Sequence, residues 1–310
     1  MRQKEGTAIT EFAFKRLLTP TGTDERHFFR GDYTLNLYRG CNHGCAYCDS
    51  RSVCYHMDNF DHIRVKANCL PALEGELRAR KRAGVVNMGA ASDAYNALEA
   101  KLRVTRGALE LLRRYGFGIF IPTKGALIAR DADVLGDIAR SAYACVAFSL
   151  STSDAGLAAL LEPGAPPPQA RYAAMRALAD AGVYTGTWLN PMLPFLTDTP
   201  QNIRDTLART ADAGGRFALC HFGVTLREGD REYFYRTLDA HPALAGVKAR
   251  YVETFGLRYL CASPEAEALQ ALFDEQCERL GLCYTFEAVN RAAAAGEPRQ
   301  LGLFGDAGAP

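Results

Sequence analysis

The stretch RGCNHGCAYCDSR, residues 39–51, places Cys41, Cys45 and Cys48 in one short loop, with Gly40 and Gly44 beside the first two. A structural zinc normally takes four ligands, often as paired C-x2-C groups, and a disulfide takes two. Three thiols spaced C-x3-C-x2-C describe a metal centre with one corner left open. Cys54 is the nearest candidate for a fourth ligand, separated from the motif by a segment of undetermined course.

The rest of the chain sets the frame for that loop. Its 310 residues are 48% hydrophobic and 23% charged, enough for one large core or two smaller ones. The formal net charge is +1, so there is no global basic footprint of the kind that many nucleic-acid binders carry. Between Arg64 and Arg82, Lys and Arg outnumber Glu, which reads as the solvated face of a helix. The start, MRQKEGTAITEF, has no apolar signal core, and no apolar run is long enough to span a membrane. Ten cysteines in a chain of this size then point to a reducing, cytoplasmic setting with thiols free or metal-bound. Cys69, Cys145, Cys220, Cys261, Cys277 and Cys283 read as small buried hydrophobes.

Strand and helix patterns alternate. YTLNLY (33–38), VVNMGAA (85–91), GIFIPT (118–123), ACVAFSLS (144–151), VYTGTWLN (183–190) and RFALCHFGV (216–224) read as strands. Segments 71–84, 97–116, 131–142, 169–182 and 199–215 read as helices, with a short one over 154–161. Six such units predict an α/β fold, a partial, open (β/α)6 TIM-type barrel of parallel strands with right-handed crossovers. Functional groups of such sheets gather at the C-terminal strand ends, where the cysteine loop falls. The expected organisation is an N-terminal extension over 1–30, the barrel over 31–226, a helical C-terminal extension over 227–290 and a flexible tail over 291–310.

The cysteine spacing, with Tyr47 just before the last cysteine, resembles the signature of the radical S-adenosylmethionine (radical SAM) superfamily. That resemblance implies a [4Fe-4S] cluster on Cys41, Cys45 and Cys48, whose open iron chelates S-adenosyl-L-methionine. One electron, from a reductant such as flavodoxin or ferredoxin, then yields a 5′-deoxyadenosyl radical. Tyr47 is expected near the adenine, and the two glycines let the backbone approach the cluster. NMGAASDAYNALEAKLRVTR (87–106), FIPTKG (120–125), FSLSTSD (148–154), the proline-rich loop with its following helix, and NPMLPFLTD (190–198) resemble the spore photoproduct lyase-like branch. Many members of that branch are catalogued as DNA repair photolyases. The resemblance covers roughly residues 30–225 and implies cofactor contacts from Ser92, Asp93, Glu99, Lys124, Ser149, Ser151, Arg171 and Asn190. The sequence departs from the lyase at Ala90, where that enzyme carries its hydrogen-donor cysteine. Tyr95, Tyr184 and Cys220 are the replacement donors that the sequence offers.

RQLGLFG (299–305) matches, through Gln300, Leu301, Leu303 and Phe304, the peptide that bacterial proteins use to dock on the DNA sliding clamp. Folding back of these apolar residues onto the protein itself is the competing expectation. Three functions therefore stand open. One is a radical SAM enzyme acting on nucleic acid, in DNA repair or modification. The second is one acting on a small molecule or peptide. The third is a non-catalytic iron–sulfur protein associated with DNA or electron transfer.

Overall fold

Short β-branched and aromatic runs bounded by glycines become six strands in the computed structural model, which describes residues 9–21, 31–89 and 91–294. These are β1 (Tyr33–Leu35), β2 (Val85–Met88), β3 (Gly118–Thr123), β4 (Ala144–Ser149), β5 (Tyr184–Leu189) and β6 (Phe217–Cys220). Each is parallel to the next in chain order, and Leu18–Pro20 adds antiparallel outside β1. The sheet is a partial barrel, open between β6 and the Leu18–Pro20 edge strand, as the alternation predicts.

Crossovers run through α1 (Cys69–Arg78), α2 (Val104–Arg114), α3 (Ala132–Ala139), α4 (Pro168–Asp180) and α5 (Pro200–Asp212). The outward residues of the strands, such as Val86, Ile119, Ile121, Val146 and Phe148, join Leu73, Leu112, Leu135 and Met175 of the helices in one core. Buried on both faces, these strands lack a polar alternation.

Three local expectations are corrected. The helix expected over 97–116 is two helices, Glu99–Leu102 and α2, because Arg103 turns left-handed at φ +54°. The break lets the Glu99 carboxylate accept the backbone N–H groups of Thr105 at 2.8 Å and Arg106 at 3.3 Å, capping α2. YTLNLY also divides. Only Tyr33–Leu35 enters the barrel, while Tyr38–Arg39 pairs antiparallel with Arg64–Lys66, which takes Thr10–Phe12 in parallel on its other side. This small sheet staples together the two ends of the cysteine loop. Beyond residue 226 the chain is not purely helical, because Leu260–Ala262 pairs antiparallel with Gly223–Thr225.

The four last helices support three parts of the barrel. Phe234 of α6 (Asp230–Ala240) and Tyr251 of α7 (Val247–Phe255) pack with Ala46 and Tyr47 of the cysteine loop. Leu269, Phe273 and Cys277 of α8 (Ala266–Leu280) pack with Ile203 and Leu207 of α5. Val289 and Ala293 of α9 (Phe286–Ala293) pack with Tyr143, Cys145, Tyr184 and Phe217, sealing the barrel floor. Among the described residues no helix is long and apolar enough to cross a membrane.

Candidate active site

The cysteine loop leaves the Tyr38–Arg39 strand through Gly40, at φ +85°. A Cβ there would lie 2.6 Å from the Phe60 carbonyl oxygen, which instead accepts the Cys41 N–H at 2.9 Å. The loop also docks on the proline-rich segment after residue 161. The Ala46 N–H donates to Leu161 O at 2.8 Å, and the Gly164 N–H donates to His43 O at 2.9 Å. A buried polar network holds this junction. The Tyr47 hydroxyl bonds Ser151 Oγ at 2.7 Å and donates to Glu162, whose other oxygen pairs with Arg171. Arg171, 1% exposed, also donates to Pro166 O at 2.8 Å and to Ser149 O at 3.0 Å. Burial works against the Glu162 charge, but Lys124 and Arg171 outweigh it and hold the carboxyl below its ordinary range.

Inside this frame lies a cavity of about 410 Å³ lined by Cys41, Cys45 and Cys48. Ser92, Asp93, Lys124, Ser149 and Asn190 line it from the C-terminal ends of β2 to β5. Asp93 accepts from Tyr95 N at 2.8 Å, Thr123 Oγ1 at 2.7 Å and Lys124 N at 2.8 Å, so it ties the loop after β2 to the end of β3. Its carboxylate also stands 3.5 Å from His43 Nδ1. Burial pushes the His43 pKa down, leaving the imidazole neutral. The Lys124 ammonium sits 5.4 Å over the Tyr47 ring. Burial opposes its charge, yet its surroundings, the Glu162 carboxylate among them, raise its pKa overall. The Ser92 hydroxyl is buried without a hydrogen-bond partner among the described residues.

The donor set suits an iron–sulfur cluster. Burial pushes the Cys41 thiol up to about 12 and raises Cys45 and Cys48 as well, so the loop alone leaves them protonated. Bound iron supplies the positive charge that ionises such thiols. Among the described residues, no group of three or more His, Cys, Asp or Glu side chains converges to hold a single metal ion. The three thiols share a volume rather than a point. Cys54 lies outside that volume, exposed, with its sulfur 3.3 Å from Arg227 Nη1.

Several expected site residues are placed elsewhere. Glu99 is fully buried and taken up by Tyr38 Oη at 2.6 Å, Arg130 Nη2 at 2.6 Å and the start of α2, so it braces helices. Arg171 and Ser151 belong to the Glu162 network behind the loop. None of these three lines the cavity. Nor does any of the suggested hydrogen donors. Tyr95 donates to Asp131 at 3.2 Å, Tyr184 stacks on Phe217 at the floor, and Cys220 packs with the α5–α8 layer. Ala90 and the tail residues Gln300, Leu301, Leu303 and Phe304 lie outside the described residues.

Sequence reasoning passed over Thr34, Asn87, Phe120 and Trp188, which point into the cavity from β1, β2, β3 and β5. Asn87, Phe120 and Trp188 do lie an even number of residues from Gly89, Lys124 and Asn190, but strands buried on both faces give that spacing no polar mark in the sequence. Glu162, the first residue of the proline-rich loop, was given no role from the sequence.

The family model described as the radical SAM superfamily matches residues 35–210. The chain belongs to the radical SAM superfamily. Membership makes it a radical SAM enzyme, with a [4Fe-4S] cluster and S-adenosylmethionine as cofactors, and not the non-catalytic carrier considered from sequence. An uncharacterized protein of Mycobacterium tuberculosis is 35% identical over 231 residues, covering 72% of this chain and 67% of its own. Another, from Methanocaldococcus jannaschii, is 27% identical over 176 residues, covering 56% and 65%. Spore photoproduct lyase complexed with dinucleoside spore photoproduct shares this radical SAM fold at TM-score 0.64 and 15% identity, over 89% of this chain and 81% of that one. The radical SAM methyltransferase TsrM from Kitasatospora setae does so at TM-score 0.54 and 10% identity, over 84% and 60%.

Proposed function

We propose that this radical SAM enzyme acts on nucleic acid, with Cys41, Cys45 and Cys48 holding the [4Fe-4S] cluster. The observation that carries the site assignment is that these three thiols line one cavity with Ser92, Asp93, Lys124, Ser149 and Asn190. When bound, the cluster and S-adenosylmethionine supply one-electron cleavage of the sulfonium, with the electron delivered by a reductant such as flavodoxin or ferredoxin in the cytoplasm. The chain's own groups position and shield. Lys124 offers an ammonium to the cofactor's carboxylate, and Ser92 offers an unused hydroxyl. Asp93 holds the ends of β2 and β3 in register, and Tyr47 is locked by Glu162 and Ser151. The nucleic-acid part of the reading draws support from the shared fold with a lyase whose complex contains a dinucleoside photoproduct. The RQLGLFG peptide adds sequence support for sliding-clamp docking, tested by clamp pull-down of wild type against Gln300→Ala/Phe304→Ala.

A second reading, a small molecule or peptide as substrate, is favoured by the net charge of +1. Anaerobic reconstitution followed by reductant and S-adenosylmethionine is expected to release 5′-deoxyadenosine. Added DNA is expected to raise that yield and to produce altered nucleosides by mass spectrometry. Cleavage that DNA neither stimulates nor accompanies with a modified nucleoside would replace the first reading with the second.

A further inference from the structure

The cavity has two chemically different ends. Its sulfur and charged groups, Cys41, Cys45, Cys48, Asp93 and Lys124, cluster at the loop end. Deeper in the barrel the lining is Thr34, Asn87, Phe120 and Trp188, with no charged side chain among them. Thr34, Asn87 and Phe120 form one cross-strand row, because Asn87 is register-paired with Thr34 on β1 and with Phe120 on β3. Phe120 and Trp188 meet at 6.4 Å between centroids and 56°, making an aromatic corner. Phe286 of α9 closes the floor edge-on to Trp188, at 6.5 Å.

Asn87 is the polar centre of this end. A Cβ on Gly31 would fall 2.0 Å from Asn87 Nδ2, so the glycine is what gives the amide its room. Asn87 Oδ1 is buried and has no hydrogen-bond partner among the described residues. A buried amide oxygen left unpaired forfeits its hydration without a replacement bond, so an Asn is an expensive choice for a position that packing alone would fill with Leu or Val. The cost is recovered if a ligand donates to it.

We infer that the deep end of the cavity is a subsite for a single nucleobase, with Asn87 reading the ring edge and Phe120 and Trp188 carrying the ring face. This inference rests on the nucleic-acid reading. A neutral, flat, hydrogen-bonding ring matches a pocket that has aromatic walls and one amide but no cation to meet a phosphate. A base reaches such a pocket only when turned out of its stack, so single-stranded or locally opened nucleic acid is the form that fits.

Trp188 is the only tryptophan of the chain. Cluster-loaded protein made with 5-fluorotryptophan therefore gives one fluorine NMR resonance, which reports on this corner without any turnover. Titration with a short mixed-sequence single-stranded DNA is expected to move that resonance saturably. The same strand carrying abasic sites is expected not to. Asn87→Leu and the isosteric Asn87→Asp are expected to weaken the response about tenfold, with unchanged cluster absorbance and an unchanged free resonance. If Asn87→Leu fails to fold, Asn87→Asp decides. An abasic strand that moves the resonance as well as the intact one, or Asn87 variants that bind like wild type, would overturn the subsite. Free nucleosides that move the resonance while DNA does not would support the subsite and overturn the nucleic-acid reading instead.

Discussion

Glu162 shows how a single residue decides what its neighbours can do. It is 3% exposed and neutralises Arg171 while it fixes the Tyr47 hydroxyl behind the cluster loop. Glu162→Ala leaves a buried guanidinium without its counter-charge, and a loss of about 3–5 kcal/mol in denaturant unfolding is expected. Combining it with Arg171→Met is expected to restore much of that loss, because the uncompensated charge goes too. Asp230 carries a pH prediction. Burial, reinforced by Asp49, pushes its carboxyl from 3.8 up to about 7, against the opposing hydrogen bond from the Arg227 N–H. Between pH 3.8 and about 7 the folded state then holds a proton that the unfolded chain has released, so this group's contribution to stability falls as pH rises through that window. Asp230→Asn keeps an acceptor for Arg227 and removes the titration. It is expected to stabilise the protein by about 1–2 kcal/mol at pH 8, with solvent screening allowed for, and to be neutral below pH 3.8; thermal melts at the two pH values measure this.

At the scale of elements, the cysteine loop works as a closed stirrup. The Tyr38–Arg39 and Arg64–Lys66 strands join its two ends, and the segment from Leu161 to Gly164 holds its middle. Closure depends on Gly40, where any side chain meets the carbonyl oxygens of Phe60 and His62 at 2.6 Å and 2.7 Å in a left-handed conformation. Gly40→Ala is expected to cost about 1–3 kcal/mol and to lower the iron bound per chain after reconstitution. The barrel's far-ultraviolet circular dichroism is expected to stay unchanged. Iron content equal to wild type would show that the loop has slack that the steric argument denies. The helix break at Arg103 follows a similar logic. Continuous helix would satisfy local propensity, but the chain turns so that Glu99 both caps α2 and meets Arg130.

At the scale of the whole molecule, a net charge of +1 and an uncharged deep cavity set an expectation for nucleic-acid binding. With few phosphates neutralised, affinity for single-stranded DNA is expected to fall less than about tenfold between 50 and 200 mM salt. A steeper slope in filter binding would reveal a basic track outside the cavity. What the sequence determined by itself was contiguous. Alternating strand and helix patterns gave the open barrel, and one loop's cysteine spacing gave the family, because both are written in neighbouring residues. Only the tertiary structure decided which polar side chains face the cavity. Strands buried on both faces carry no polar alternation to mark the inside, so Asn87 and Trp188 were silent in the sequence. Glu99 and Arg171 looked equally free to serve a ligand until folding brought Arg130 and Glu162 within hydrogen-bond reach. A charged group's role is settled by which partner arrives through space, and the order of residues along the chain does not contain that distance.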